Sequence, residues 1–316
     1  MSTRNPVLLL AYNRPEAMLR SLEAIDKADP PRVYIAIDGP KSNDAKDRKQ
    51  VVACVKIARE RSSASNVSTL IRDSNLGCGV AISSAIDWFF QAEAQGIILE
   101  DDLVPTENFF EFVDEALEIY RRDVRVLSIG GFNAVPPKSI SSSDDIRFSR
   151  FPQIWGWATW RDRWQSYQYE LPRYPTGHEF IRVLRWCNYS AVQTFYWLRQ
   201  FRRVRDRDVD TWDYQLTHLA MRQGRVSVVP NVNLVENHGW GNSATHTRTK
   251  PRFLPHGTGS IAVKDMPSFN GKTDVVADRW MSAEVFRSTS VGLIRRTRDS
   301  GSRLLPSIRR SACGEF

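Results

Sequence analysis

From Pro6 the chain alternates short, wholly apolar runs with longer segments whose apolar residues recur every three or four positions. Pro6–Tyr12, Val33–Ile37 and the run starting at Gly96 are short and apolar, the pattern of buried strands, and Val67–Ile71 reads as a third strand between the second and the acidic one. Between them the spacing predicts helices. One starts at Pro15 and carries Met18, Leu19, Leu22 and Ile25; a second spans Val51, Val52, Val55 and Ile57 to Ala58. A third runs from Val80 to Phe90 and a fourth from Asn108 to Tyr120. Pro15 suits the first turn of a helix, where its missing N–H is not needed. Strands alternating with helices predict an α/β protein with a doubly wound, mostly parallel sheet and helices on both faces.

After a further strand at Val124–Ile129 and a polar loop over Ser139–Asp145, the character changes. Phe151 to Trp160 is dense in aromatics and is read as the wall of a binding pocket. A mixed helical stretch covers Glu179–Arg203, a helix opens within Asp210–Gln215 and runs to Gln223, and Val226–Pro230 reads as a late strand. The Gly- and Asn-rich loop Asn233–Thr247 follows. The expected organisation is one catalytic domain over residues 1–270, with a nucleotide-binding half (1–135) and an acceptor-binding half (136–270). A basic tail follows at 271–316, either partly disordered or lying weakly on a membrane surface.

The chemistry concentrates where the fourth apolar run ends, in Glu100-Asp101-Asp102. Such a strand delivers its acids to the carboxyl edge of the sheet, where open α/β folds bind ligands. Three adjacent carboxylates repel one another and need a compensating cation or full solvation. Hard oxygen ligands without a thiolate cluster suit Mg²⁺ or Mn²⁺ carrying a phosphate; the plain alternative is a solvated acidic turn. Asn75 and Gly77 lie where backbone amides at a helix start meet phosphate or sugar, or form a simple turn. By position alone, Arg14 is equally a phosphate contact or a surface arginine, and Asp38 equally a base contact or a turn former before Gly39-Pro40.

Composition narrows the classes. A net charge of +8 and a pI of about 9.4 fit an enzyme of phosphate-bearing substrates, a nucleic-acid binder or a protein on an anionic membrane. Four cysteines without metal or redox spacing predict a reducing compartment. No apolar window reaches membrane-spanning length and no signal-peptide pattern leads the chain, so the expectation is a cytoplasmic protein, at most peripheral to the inner face of the plasma membrane. No dinucleotide glycine fingerprint follows the first strand, which argues against a dehydrogenase.

Five segments in this order resemble nucleotide-sugar glycosyltransferases of the GT-A fold, in particular N-acetylglucosaminyltransferase I and bacterial enzymes of surface-polysaccharide synthesis. They are Ala11-Tyr12-Asn13-Arg14, Ile37-Asp38-Gly39, Glu100-Asp101-Asp102 followed by Phe109-Phe110, Trp155-Gly156-Trp157, and Trp212-Asp213, within residues 5 to 250. The resemblance implies a GT-A fold and transfer of a sugar from a nucleotide diphosphate sugar, a UDP-sugar foremost, to a hydroxyl of a glycan or glycolipid. It implies direct metal ligation by Asp102, with Asp101 on the ribose or a metal-bound water and Glu100 shaping the edge. Arg14 is then set on pyrophosphate or nucleoside, and Asp38 on the base. Asp213 becomes the general base of an inverting displacement, with Asp210 its rival, although Asp210 also suits a helix N-cap. His246 becomes an additional metal ligand, preferred to His238. Trp155, Gly156, Trp157 and Trp212 become the acceptor surface, the tryptophans equally suited to core packing. The chain departs from the family in lacking its membrane anchor and in a poorly matching acceptor segment.

Two other readings stand beside this one. A nucleotidyltransferase or phosphohydrolase would use the same carboxylates, but Ala11-Tyr12-Asn13-Arg14-Pro15 is not the glycine-rich basic loop of the former. A non-enzymatic nucleic-acid binder would interleave basic and aromatic residues on one face. Here the aromatics cluster mid-chain, apart from Arg199–Arg207 and the basic tail, so nucleic acid is not the expected partner.

Overall fold

In this computed structural model, which describes residues 2–61, 66–172, 177–239, 254, 257–263 and 266–289, the apolar runs pair into one eight-stranded sheet. The elements of the first half are β1 (Val7–Ala11), α1 (Pro15–Lys27), β2 (Val33–Ile37), α2 (Ala45–Arg61), β3 (Val67–Ile71), α3 (Cys78–Ala92), β4 (Gln95–Glu100), β5 (Leu103–Pro105), α4 (Glu107–Ile119) and β6 (Val126–Gly130). There follow β7 (Ile146–Ser149), β8 (Trp157–Trp160), α5 (Arg161–Trp164), α6 (Gly177–Trp186), α7 (Ala191–Arg205), α8 (Asp213–Gln223), β9 (Val226–Pro230), β10 (Val235–Asn237) and α9 (Val275–Trp280), which continues as a π-helical turn, Met281–Val285.

The strand order is β3-β2-β1-β4-β8-β6-β9-β7. Pairs β1·β2, β2·β3, β1·β4 and β6·β9 are parallel; β8 runs antiparallel to both neighbours and β7 antiparallel to β9. The sheet is therefore mostly parallel. Alternate residues of its strands feed opposite layers, as the two-residue period requires. Val7, Leu9, Ile35, Ile97 and Leu99 pack with α1, α2 and α4 on one face. Leu8, Leu10, Tyr34, Ala36 and Ile98 pack with α3 and α8 on the other. A second, aromatic core joins α6, α7 and the end of α9 around Phe151, Trp197 and Phe286.

Four short strands fall where the sequence predicts none, the first being β5, just past the triplet. The aromatic stretch read as a pocket wall contains β8, a central strand that joins the two expected halves through one continuous sheet. β7 follows the expected polar loop. β10 lies inside the Gly/Asn loop and pairs antiparallel with β5, Asn237 opposite Leu103. The tail boundary also moves: the described residues past 271 are part of the fold. Asp274 caps α9 and accepts from the backbone of Ser141 at 2.7 Å, while Asp278 accepts from the Ser149 hydroxyl at 2.6 Å.

Candidate active site

The chain winds outward from β1 to β2 and β3, then returns to place β4 on the other side of β1. That reversal makes the carboxyl ends of β1 and β4 the switch point, where the loops diverge and leave a crevice. Two sequence candidates meet there. Arg14, the residue before Pro15 at the head of α1, pairs with Asp101 and donates from Nη1 to Asp102 Oδ2 at 2.8 Å. The cation that offsets the triplet is thus in part the chain's own guanidinium. Burial strips hydration from Arg14, and the two carboxylates more than compensate, holding its pKa above the ordinary value.

The three acids are not equivalent. Asp101 is buried and also accepts from the Tyr12 amide at 3.3 Å, so its side chain fastens β1 to β4. Burial raises its pKa, and Arg14 opposes that rise. Glu100 is likewise pushed up, by burial and then by the charge of Asp102. Asp102 keeps an oxygen, Oδ1, without a partner among the described residues. Its carbonyl accepts from the His238 amide at 2.8 Å, tying the strand-10 loop over the triplet. At Gly239 a Cβ would overlap Asp102 Oδ2, so only glycine lets the backbone approach this closely.

Asp213 opens α8 and is buried. Thr211 Oγ1 donates to its Oδ1, while Oδ2 has no partner among the described residues. Burial raises its pKa, and its charge is felt at Glu100. Trp155, half-buried and in edge contact with Phe132 at 4.5 Å, lies two residues beyond the Trp157 that pairs with Ile98.

Other expectations are corrected. Asp210 does not cap its own helix. Its Oδ2 accepts from the Cys78 amide at 2.8 Å and its Oδ1 from the Gly79 amide at 2.9 Å, capping α3 from across the molecule. The amides expected to meet phosphate beside Asn75 and Gly77 are therefore already taken. Gly77, at φ +81°, lets the chain turn under that carboxylate. Asn75 donates to Asp38 Oδ2 at 2.8 Å, and the Leu76 and Gly39 amides donate to Asp38 Oδ1 at 3.0 and 2.9 Å. Asp38 so fastens the loop after β3 to the end of β2, which engages both oxygens expected on a base. Trp157 and Trp212 stack on each other at 5.5 Å with 1% and 2% exposure, which leaves no ring face for a sugar. Gly156 lies next to Trp155, its carbonyl held by the Gly131 amide at 2.7 Å. His246 lies outside the described residues. Thr211 and Gly239, which orient Asp213 and admit the loop to Asp102, are not singled out by any spacing; the Gly/Asn content of the loop is the one signal that points near them.

Among the described residues no three His, Cys, Asp or Glu side chains converge on a metal. Mg²⁺-like ions in phosphate sites need no such cage, since one or two carboxylates act with substrate oxygens and water. Asp102, with Oδ1 spare, fits that mode. Among the described residues no helix is long and apolar enough to cross a membrane.

No protein-family model and no curated protein matches the chain. Among solved structures it is similar to HddC from Yersinia pseudotuberculosis, with 10% identity over 50% of this chain and 77% of that one, at a TM-score of 0.30, too loose a superposition to bear on fold or activity.

Proposed function

We propose that the chain is a GT-A-type glycosyltransferase that moves a sugar from a nucleotide diphosphate sugar, a UDP-sugar foremost, to a hydroxyl of a glycan or glycolipid acceptor. The observation that supports it most is the pairing of Arg14 with Asp101 and Asp102 at the switch point of β1 and β4, beside which stands the buried Asp213, its Oδ2 unpartnered among the described residues.

The residues divide the work. Arg14 supplies positive charge where a departing diphosphate gains negative charge. Asp102 would hold Mn²⁺ or Mg²⁺, which when bound neutralises the same diphosphate. Asp213 Oδ2 takes the proton of the acceptor hydroxyl, and Thr211 keeps the other oxygen oriented. A single base implies displacement with inversion. Trp155 offers a partly exposed ring to a sugar face.

The test is the melting temperature of the protein against nucleotides and nucleotide-sugars, with and without Mn²⁺. Binding to the native state raises it by mass action, about 2.7 kcal/mol at a hundredfold excess over Kd. The expected result is a metal-dependent shift with one nucleoside diphosphate and its sugars. No shift with any of them overturns the reading.

A further inference from the structure

The outer face of the α6–α7 hairpin carries large apolar side chains in water. Phe195 is 65% exposed, Tyr189 71% and Ile181 46%. They are not scattered. His178, Ile181, Arg182 and Arg185 share one face of α6, and Ala191, Phe195, Arg199 and Arg202 share one face of α7, by the three- and four-residue spacing of a helix. Phe180 and Phe195 meet edge to face at 6.3 Å across the hairpin. At its tip Asn188 and Tyr189 take φ of +51° and +60°, an unfavourable backbone for a tyrosine, and that turn carries the Tyr189 ring into solvent. Beneath, Trp186 and Trp197 pack against Phe151, so the display stands on a fixed base.

From Gly177 to Arg205 there are six arginines and one acid, Glu179. Glu179 pairs with Arg182 at 3.4 Å, whereas Arg185, Arg199 and Arg202 make no ion pair with any described residue. An apolar strip bordered by unpaired arginines complements an anionic bilayer, which accepts the rings at the level of its headgroups and the guanidinium groups on its phosphates. A second copy of the chain would set arginine against arginine, and nucleic acid would have no use for an exposed isoleucine.

We propose that this hairpin face, rather than the basic tail alone, docks the protein on anionic membrane surfaces. The proposal is independent of the transfer chemistry. Flotation of the full chain with phosphatidylcholine vesicles, pure or mixed equally with phosphatidylglycerol, tests it. The wild type floats with the anionic vesicles and much less with the neutral ones. Phe195→Ser lowers the partition about tenfold, from the apolar area withdrawn from the bilayer. Arg199→Glu with Arg202→Glu lowers it more, about fivefold for each arginine lost. Because all these side chains are exposed, the variants keep the circular dichroism and melting temperature of the wild type. The control Arg295→Glu, Arg296→Glu, Arg298→Glu leaves most of the binding. Absence of flotation in the wild type overturns the proposal. So does equal binding by the hairpin variants, or a loss confined to the tail variant. A wild type that self-associates or binds oligonucleotide through this face without binding vesicles overturns it as well.

Discussion

The aspartates at the ends of β2 and β4 and just before α8 are treated differently by the fold from Asp213, the first residue of α8. Asp38 engages both oxygens with loop donors, Asp101 is held by Arg14 and the Tyr12 amide, and Asp210 is spent on the start of α3. Asp213 is buried too, yet its Oδ2 has no hydrogen-bond partner among the described residues. An orphaned buried acceptor costs about 1–3 kcal/mol, so it persists only where something other than stability keeps it. Burial alone therefore does not separate the proposed base from the structural acids; in the proposed mechanism the unspent oxygen does.

Asp213→Asn tests this most severely. Loss of a general base lowers transfer by roughly 10²–10⁴-fold, with nucleotide-sugar binding unchanged in the melting assay. Stability should move the other way. The folded-state pKa of Asp213 is raised, so the native protein binds its proton more tightly than the unfolded chain. Its contribution to stability is lost as pH rises from the ordinary aspartate range through the raised value. Asparagine removes that loss, so the variant should melt above the wild type at neutral pH, with the gap closing in acid. A variant that melts lower and transfers normally would make Asp213 an ordinary structural residue.

Arg14→Ala probes the compensated side. Removing one partner of a mostly buried pair costs about 2–4 kcal/mol, because Asp101 and Asp102 are left facing each other and Glu100. The pKa values of Glu100 and Asp101, already raised, rise further. The deficit should therefore be greatest at neutral to alkaline pH and smallest in mild acid, where the protons are held. Denaturant midpoints at both ends of that range measure it. An equal deficit at every pH would mean that Arg14 acts by packing rather than charge.

Why the sequence reveals one side of this contrast and conceals the other follows from range. Val33–Ile37 and Val226–Pro230 are legible because a strand buried on both faces is a local, largely apolar run, and the edge strand Val67–Ile71 is legible from its β-branched residues; the observed bounds of all three match the reading. The triplet's position at a strand end is local too. β8 escapes because it is only four residues long inside an aromatic stretch that reads equally as a pocket wall, and its strand character comes from the neighbours on either side. β10 is three residues long and exists through its pairing with β5. Asp210 misleads for the same reason. Three residues before Asp213 it looks like a local cap or a rival base, but the amides it serves lie 131 and 132 residues away. Trp212 beside Asp213 suggests a sugar platform, whereas its stacking on Trp157 makes it part of the core.

The smallest effect is expected at Asp210, and it separates the two aspartates at the head of α8 cleanly. Asp210→Ala leaves the first amides of α3 without an acceptor and the positive end of that helix without its anion. The cost is about 1–2 kcal/mol in the denaturant midpoint. Asp210→Asn keeps one accepting oxygen and should recover part of that loss. Because neither change touches Asp213 Oδ2, transfer by Asp210→Asn should stay within a few-fold of the wild type under conditions where both are folded. If instead Asp210→Asn were stable and inactive while Asp213→Asn still turned over, the base would be the acid that caps α3. The spare oxygen of Asp213 would then mark a cost of folding with no return in catalysis.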